Sequence, residues 1–229
     1  ERTGDAWRAR WDSLRVFTPA KFCGLDGMPY PADGNYYPTK DEFADYLEEY
    51  VRRFELPVRL GVEVDRLSKQ GDRYVVAAGD SVIEADNVVV AMANYQLPKV
   101  PEFAADLDSS IRQLHSSAYR NPGQLQPGPA LVVGAGNSGA EIALDIRDGR
   151  QVWLAGEYPG YIPFDIDSFL ARKVLVRLVL RGLFHRVLTL STPIGRRFLA
   201  KKAGHGTPLV RTKPRDIAAA GIKQVARLE

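Results

Sequence analysis

The clearest pattern along the chain is a run of apolar residues that recur every three or four positions between Thr39 and Pro57. This spacing places them on one face of a helix. Glu42 stands three residues after Thr39, so the two can form a capping box at the helix start, and Pro57 ends the run. The pattern predicts one amphipathic helix that starts at Thr39. Its apolar face consists of Phe43, Leu47, Tyr50, Val51 and Phe54.

Three stretches after this helix are alternating or rich in β-branched residues, which is typical of strands. They are residues 58–67, Arg73–Ala78 and residues 87–92. Gly-Asp pairs at positions 71–72 and 79–80 supply turn residues between them. We therefore predict a small sheet that accompanies the single helix.

A different kind of unit follows residues 94–129, whose five prolines indicate a connector between domains. Ala130–Val133 is a short apolar run, a glycine-rich turn leads from it into a helical pattern, and a second strand is predicted over residues 151–155. Strand, helix and strand in this order favour a parallel sheet. We predict an α/β fold, with a Rossmann-like dinucleotide-binding domain in residues 99–229 and a separate segment in residues 1–98.

The turn between the two predicted strands carries the pattern Gly134-x-Gly136-x-x-Gly139, and the acid Glu157 follows the second strand. These are the features of a dinucleotide-binding βαβ unit. Gly134 permits a tight turn, Gly136 lets a diphosphate approach the backbone, and Gly139 lets the helix pack closely on the strand. The free N–H groups at the helix start favour an anion. A turn without a ligand is the weaker interpretation.

The sequence leaves the choice between NADH and NADPH open. A carboxylate after the second strand typically accepts a hydrogen bond from a ribose 2′-hydroxyl, which would give Glu157 that role and favour NADH. Arg172, Lys173 or Arg177 could instead contact a 2′-phosphate.

Composition narrows the classes of protein that need to be considered. Hydrophobic residues make up 45% and charged residues 26% of the 229 residues, which is typical of a globular chain. The single cysteine, Cys23, excludes a disulfide framework and fits a reducing compartment. We expect neither a signal peptide nor a membrane-spanning helix, because neither pattern is readable in these residues. We expect a cytoplasmic location. The oligomeric state stays open.

The net charge of +3 is unevenly distributed, because residues 170–229 carry a balance of +12 and the rest a balance of −9. We favour a basic half that docks on an acidic half. A basic amphipathic stripe in residues 169–190 fits a packed helix better than a helix on an anionic membrane surface. Nucleic acid is not expected, since the basic tail has few aromatic residues for stacking. The stripe consists of Lys173, Arg177, Arg181 and His185.

Several short segments together resemble the flavin-containing monooxygenases, and most closely their YUCCA-like (indole-3-pyruvate monooxygenase) branch. The resemblance runs in order over nearly the whole chain. The segments are LRVFTP at 14–19, FCGL at 22–25, MPYP at 28–31, YPTK at 37–40, LHSSAY at 114–119 and VVGAGNSGAE at 132–141.

This resemblance implies an enzyme that uses FAD, NADPH and molecular oxygen to oxygenate a small organic substrate through a flavin C4a-hydroperoxide. Residues 1–98 would then be part of an FAD-binding domain. Trp7 and Thr18 would border the flavin, and no residue is assigned a catalytic role. The residues that would hold NADPH are Gly134, Gly136, Asn137, Ser138 and Gly139.

The chain also departs from the family pattern. An FAD-binding glycine motif would precede the stretch at Trp7, and a closing strand of the FAD domain would follow Arg215, and neither is found. We therefore expect a fragment, with a non-catalytic NAD(P)-binding module as the alternative for the chain by itself. Baeyer–Villiger chemistry is a further alternative, against which Tyr119 argues because those enzymes have Trp at this position.

The remaining chemical candidates have simpler interpretations. His115, His185 and His205 are too scattered for a metal site, and we expect His115 to form a hydrogen bond between domains. Cys23 lies among aromatic residues and is interpreted as a small buried hydrophobe.

Overall fold

A computed structural model describes residues 2–93, 97–162, 168, 174, 178–202 and 207–228 of the chain. Two three-stranded sheets organise these residues. The first sheet is antiparallel and consists of β1 (Arg66–Gln70), β2 (Arg73–Ala78) and β3 (Ser81–Ala85). The second is parallel and consists of β4 (Ala130–Val133), β5 (Val152–Ala155) and β6 (Lys223–Val225), with β5 in the centre.

Five α-helices and several shorter helical turns complete the described part of the chain. The α-helices are α1 (Asp5–Arg8), α2 (Lys40–Arg53), α3 (Asn137–Asp145), α4 (Pro193–Lys202) and α5 (Pro214–Ala219). Short 3-10 turns occur at Ala20–Phe22, Glu102–Asp106 and Pro122–Gln124, and a π-helix covers Leu178–Val187. The predicted α/β fold with one parallel sheet and one small separate sheet is confirmed, and the structure shows that the small sheet is antiparallel.

Helix α2 starts with the predicted capping box. The Glu42 backbone N–H donates to Thr39 Oγ1 at 3.2 Å, and the Thr39 backbone N–H donates to Glu42 Oε2 at 2.8 Å. These two bonds satisfy N–H groups that a helix start leaves without partners. Farther along the helix, the buried Tyr46 hydroxyl accepts from the Leu25 N–H at 2.7 Å, which fixes the preceding loop on the helix.

The first sheet corrects two of the predicted strands. Residues 58–64 are not part of a strand, because β1 begins only at Arg66, and residues 87–92 lie outside the sheet. The cause is turn geometry, because Gly71 and Gly79 both have positive φ and close two-residue hairpin loops. The two turns limit β2 to Arg73–Ala78, so β1 pairs with it only from Arg66 onwards and β3 starts directly after the second turn. The third strand is therefore Ser81–Ala85, which the sequence analysis did not identify.

The parallel sheet is covered on one face by α3 and α5. Ala140 and Ala143 of α3 are fully buried, and their small side chains allow the helix to lie close to the strands. The β4 strand alternates, since Ala130 and Val132 pack towards this core. Trp11 and Leu14, from far earlier in the chain, belong to the same buried cluster.

Part of the basic segment lies beyond what the structure describes. Lys173 and Arg177 are outside the described residues, and so are the side chains of Arg181 and His185. The amphipathic stripe therefore stays a prediction. Among the described helices, none is both long and apolar enough to cross a membrane.

Candidate dinucleotide-binding site

The glycine-rich turn lies at the carboxyl edge of the parallel sheet, between β4 and α3. Val133 of β4 is in register with Ala155 of β5, and the Gly134 N–H donates to the Ala155 carbonyl at 2.9 Å. Gly134 has a φ of 105°, a backbone conformation that residues other than glycine rarely adopt. The turn is thereby fixed to the ends of both strands.

Gly139 is required for the close approach of α3 to this turn. A Cβ atom at position 139 would lie 1.8 Å from the Gly134 carbonyl oxygen, a contact that no side chain can make. Position 136 is the opposite case, because a Cβ atom there would have no described atom within 4 Å. The close contact at Gly139 holds the helix in place, and Gly136 leaves space beside the backbone.

The start of α3 presents backbone N–H groups to this space. The first helical hydrogen bond runs from the Ala140 N–H to the Gly136 carbonyl at 2.9 Å, and Gly136 provides no side-chain cap. The N–H groups of Asn137, Ser138 and Gly139 have no hydrogen-bond partner within the described ranges. Together with the partial positive charge of the helix start, they fit the diphosphate of a dinucleotide.

The side chain of Asn137 does not face this space. Its Nδ2 donates to the carbonyls of Thr207 at 3.1 Å and Pro208 at 3.2 Å, and its Oδ1 accepts from the Val210 N–H at 3.4 Å. The sequence analysis assigned Asn137 to NADPH, and the structure shows that its side chain contacts a distant part of the chain. Ser138, the next residue, is half-buried in the first turn of α3.

Glu157 lies at the same sheet edge as the turn. It follows β5 and Gly156, and a Cβ atom at Gly156 would lie 3.6 Å from the Ala135 nitrogen, so the two loops are neighbours. Glu157 itself is exposed. The alternative partners of the ribose phosphate, Arg172, Lys173 and Arg177, are outside the described residues.

The two residues expected beside a flavin lie in the N-terminal segment. Trp7 contacts the ring of Phe43 edge-on, with 4.8 Å between the ring centroids, and packs against the buried cluster. The Thr18 hydroxyl is 3.2 Å from the Cys23 Sγ. Burial raises the pKa of the Cys23 thiol, which agrees with its interpretation as a buried hydrophobe.

A partly buried ion pair lies one helical turn beyond Asn137. The Arg211 Nη2 is 3.1 Å from the Glu141 Oε1, and only 10% of the Glu141 side chain is exposed. Burial raises the pKa of Glu141, and the charge of Arg211 partly opposes this shift. No periodicity or spacing in the sequence points to this pair, because its members are far apart along the chain.

A cavity of about 220 Å³ adjoins this ion pair. The Nε1 of Trp11 is buried and has no hydrogen-bond partner in the described part of the chain. The cavity is lined by Trp11, Ser13, Glu141, Leu144, Asp145, Arg211 and Thr212.

Two residues of the segment at 114–119 have local structural roles. The Tyr119 hydroxyl donates to the Asp145 Oδ2 at 2.5 Å, and burial followed by this carboxylate raises the pKa of Tyr119. The His115 Nδ1 lies 2.8 Å from the Ser117 Oγ, so its described side-chain bond is local and does not connect domains as expected. Among the described residues, no cluster of three or more His, Cys, Asp or Glu side chains could hold a metal ion.

Comparison with known proteins shows which proteins this chain is similar to. The model of a family described as pyridine nucleotide-disulphide oxidoreductase matches residues 20–159. An uncharacterized CzcO-like oxidoreductase of Geobacillus kaustophilus is 48% identical over 166 residues, which cover 72% of this chain and 48% of that protein. The indole-3-pyruvate monooxygenase YUCCA1 of rice is 34% identical over 191 residues, which cover 77% and 47% of the two chains.

A solved structure is also similar to this chain. A flavin-containing monooxygenase from Stenotrophomonas maltophilia matches 91% of this chain and 60% of its own, with a TM-score of 0.63 and 28% identity. The resemblance expected from the sequence is thereby confirmed. The chain spans about half the length of the curated relatives that it matches.

Proposed function

Because the chain belongs to the pyridine nucleotide-disulphide oxidoreductase family, we propose that it supplies the NADPH-binding half of a flavin-dependent monooxygenase. The observation that carries this proposal is the glycine turn, where Gly139 holds α3 against the strand end. Among the described residues, Gly136 leaves open space before N–H groups that have no partner. The similarity to a solved flavin-containing monooxygenase over 91% of the chain supports it.

Two cofactors, FAD and NADPH, belong to this proposal. When bound, they would supply hydride transfer and the activation of molecular oxygen, of which one atom would be transferred to a small organic substrate and the other released as water. The residues of this chain bind these cofactors and orient them. The N–H groups of Asn137, Ser138 and Gly139 bind the diphosphate of NADPH. Glu157 accepts a hydrogen bond from the 3′-hydroxyl of the adenosine ribose, because the 2′-hydroxyl of NADPH carries the phosphate.

The first 98 residues have a second role in the proposal. We assign them to part of an FAD-binding domain, in which Trp7 and Thr18 border the flavin, and residues 99–229 to the NAD(P)-binding domain. The contact of Trp7 with the buried cluster would place the flavin segment directly beside the nucleotide domain. We also propose a cytoplasmic location, on the basis of the single cysteine.

The test uses NADPH, NADH and two glycine variants. We expect NADPH at about 100 times its Kd to stabilise the chain by about 2.7 kcal/mol in thermal unfolding. Gly136→Val should fold normally, because its side chain enters open space, but it should lose this stabilisation because the same space receives the diphosphate. Gly34→Ala is the matched control, since a Cβ atom there makes only an ordinary contact with Lys21.

Two results would contradict the proposal: no stabilisation of the parent chain by either nucleotide, or unchanged stabilisation of Gly136→Val. The alternative of a non-catalytic module is tested separately by flavin content. Purification with stoichiometric bound FAD would exclude that alternative, and a colourless chain that still binds NADPH would support it for the chain alone.

A further inference from the structure

A segment far from the glycine turn in sequence is attached to the first residue of α3. This segment, residues 207–213, is called the clasp below. Asn137 makes three hydrogen bonds to it: to the carbonyls of Thr207 and Pro208, and from the Val210 N–H. Both N–H groups of the Asn137 amide therefore have an acceptor within the protein.

The clasp contacts the same face of α3 a second time. Glu141 is four residues after Asn137, which places the two side chains on one helix face. Arg211 of the clasp pairs with Glu141 at 3.1 Å. The clasp thus runs along the first turn of α3 and is bonded to both ends of that turn, at Asn137 and at Glu141.

The clasp is itself held by the surrounding structure. Leu209 is fully buried, its N–H donates to the Gly160 carbonyl at 2.8 Å, and its carbonyl accepts from the Ile162 N–H at 3.1 Å. At the far end, the Lys213 N–H donates to the Asp216 carboxylate at the start of α5. A segment with this many anchors can hold the helix start in one position.

We infer that the clasp positions the start of α3 for nucleotide binding, and that Asn137 is a positioning residue whose side chain does not contact the nucleotide. The inference rests on the proposed function of the glycine turn. Its physical basis is that the Asn137 N–H faces the diphosphate space while the side chain of the same residue is bonded to the clasp. Loosening the clasp frees the first turn of α3, and bound diphosphate must then order it again.

This arrangement makes nucleotide binding and clasp closure reciprocal. If the closed clasp raises the affinity for NADPH by some factor, bound NADPH must stabilise the closed clasp by the same factor. The amide hydrogen of Val210 reports closure, because it is donated to Asn137 Oδ1. We expect NADPH to slow its exchange with solvent, and adenosine, which lacks the diphosphate, to leave it unchanged.

The experiment compares Asn137→Ala with the parent chain at a temperature well below both melting points. NADPH affinity is measured by calorimetry, and Val210 exchange by hydrogen–deuterium exchange. We expect Asn137→Ala to weaken NADPH binding about tenfold, in the range of typical coupling between sites. It should also abolish the protection of Val210 by the nucleotide. A merely structural role would lower the melting point and leave the affinity unchanged.

Asn121→Ala is the matched control. Asn121 lies at the start of a helical turn, with its Oδ1 accepting from the Gly123 N–H, and its Nδ2 donates to Asp12, away from the clasp. It should bind NADPH like the parent. If Asn137→Ala does not fold, Glu141→Gln decides the question, because it removes the charge that holds Arg211 and should weaken NADPH binding by a smaller factor.

The outcomes separate the inference from the function on which it rests. Parent-like NADPH affinity in Asn137→Ala, or in Glu141→Gln where that variant decides, overturns the role of the clasp while Gly136→Val still loses binding. Hydrogen–deuterium exchange of the Val210 amide that is unaffected by NADPH also overturns the role of the clasp. A parent chain that binds neither nucleotide overturns both.

Discussion

The two sheets of this molecule are built in opposite ways. The antiparallel sheet is formed by two tight turns at Gly71 and Gly79, and its strands remain largely exposed; Val82 is 64% exposed. The parallel sheet joins strands from distant parts of the chain, and Leu154 at its centre is fully buried. The first sheet is specified by local sequence and the second by long-range packing. The candidate nucleotide site depends on the second.

The largest difference between the sheets should appear when one apolar side chain is truncated in each. Leu154→Ala removes buried methyl groups beneath α3 and should lower the free energy of unfolding by about 2–5 kcal/mol. Val82→Ala removes exposed groups and should change it by less than about 0.5 kcal/mol. Urea unfolding of both variants measures the contrast. Equal losses would mean that the antiparallel sheet is as well packed as the parallel one.

Glycines provide the next contrast. Gly139→Ala forces a Cβ atom against the Gly134 carbonyl, so we expect a loss of about 1–3 kcal/mol together with the loss of NADPH binding. Gly79→Ala has free space around its Cβ atom and only the strain of a positive φ, so it should cost less and leave NADPH binding intact. Thermal unfolding with and without NADPH checks both expectations. A Gly139→Ala chain that binds normally would contradict the importance of the helix approach.

The two main helices start differently, which gives a third contrast. Helix α2 has a side-chain cap, and α3 has none because Gly136 occupies that position. Thr39→Ala should therefore destabilise the chain by about 1 kcal/mol without affecting NADPH affinity. Gly136→Ser should preserve stability and weaken NADPH binding, because its hydroxyl competes for the same N–H groups. If both variants bind NADPH equally well, the free N–H groups of α3 have no role in binding.

The smallest expected effect is on the pH dependence of stability. The Thr39 N–H lowers the pKa of Glu42, so its stabilising contribution is present above the ordinary value of 4.5 and is lost as the pH falls through the lowered pKa. Burial raises the pKa of Glu141, so its contribution is present below 4.5 and is lost as the pH rises through the raised pKa. The dependence of the unfolding free energy on pH should become flatter below pH 4.5 in Glu42→Gln and above pH 4.5 in Glu141→Gln. Flattening of both curves on the same side of pH 4.5 would contradict the direction of one of the two pKa shifts.

The features that could be predicted from the sequence are those with local signals. The capping box of α2, the β2 strand and the strand–turn–helix from Ala130 onwards all follow from neighbouring residues, and the structure confirms them. The third strand was placed wrongly because the valines at 88–90 outweighed the turn at Gly79. The short β6 strand was missed because three residues carry too little pattern.

The clasp could not be predicted, for a physical reason. Its contacts join Asn137 to residues about 70 positions later, and no periodic pattern links them. In sequence, Asn137 is indistinguishable from a nucleotide ligand, because its position in the glycine turn is the same in either role. Only the direction of its side chain separates the two, and that direction is set by tertiary structure.

The stretch at residues 58–64, before β1, has a consequence for how this chain behaves at high concentration. Val58, Leu60, Val62 and Val64 are all about half exposed and alternate along the backbone, which is the signature of a segment that can add to a neighbouring chain and start aggregation. Arg59 and Glu63 interrupt this stretch with charge. We expect these two charges to act as gatekeepers that oppose the stacking of copies of this segment.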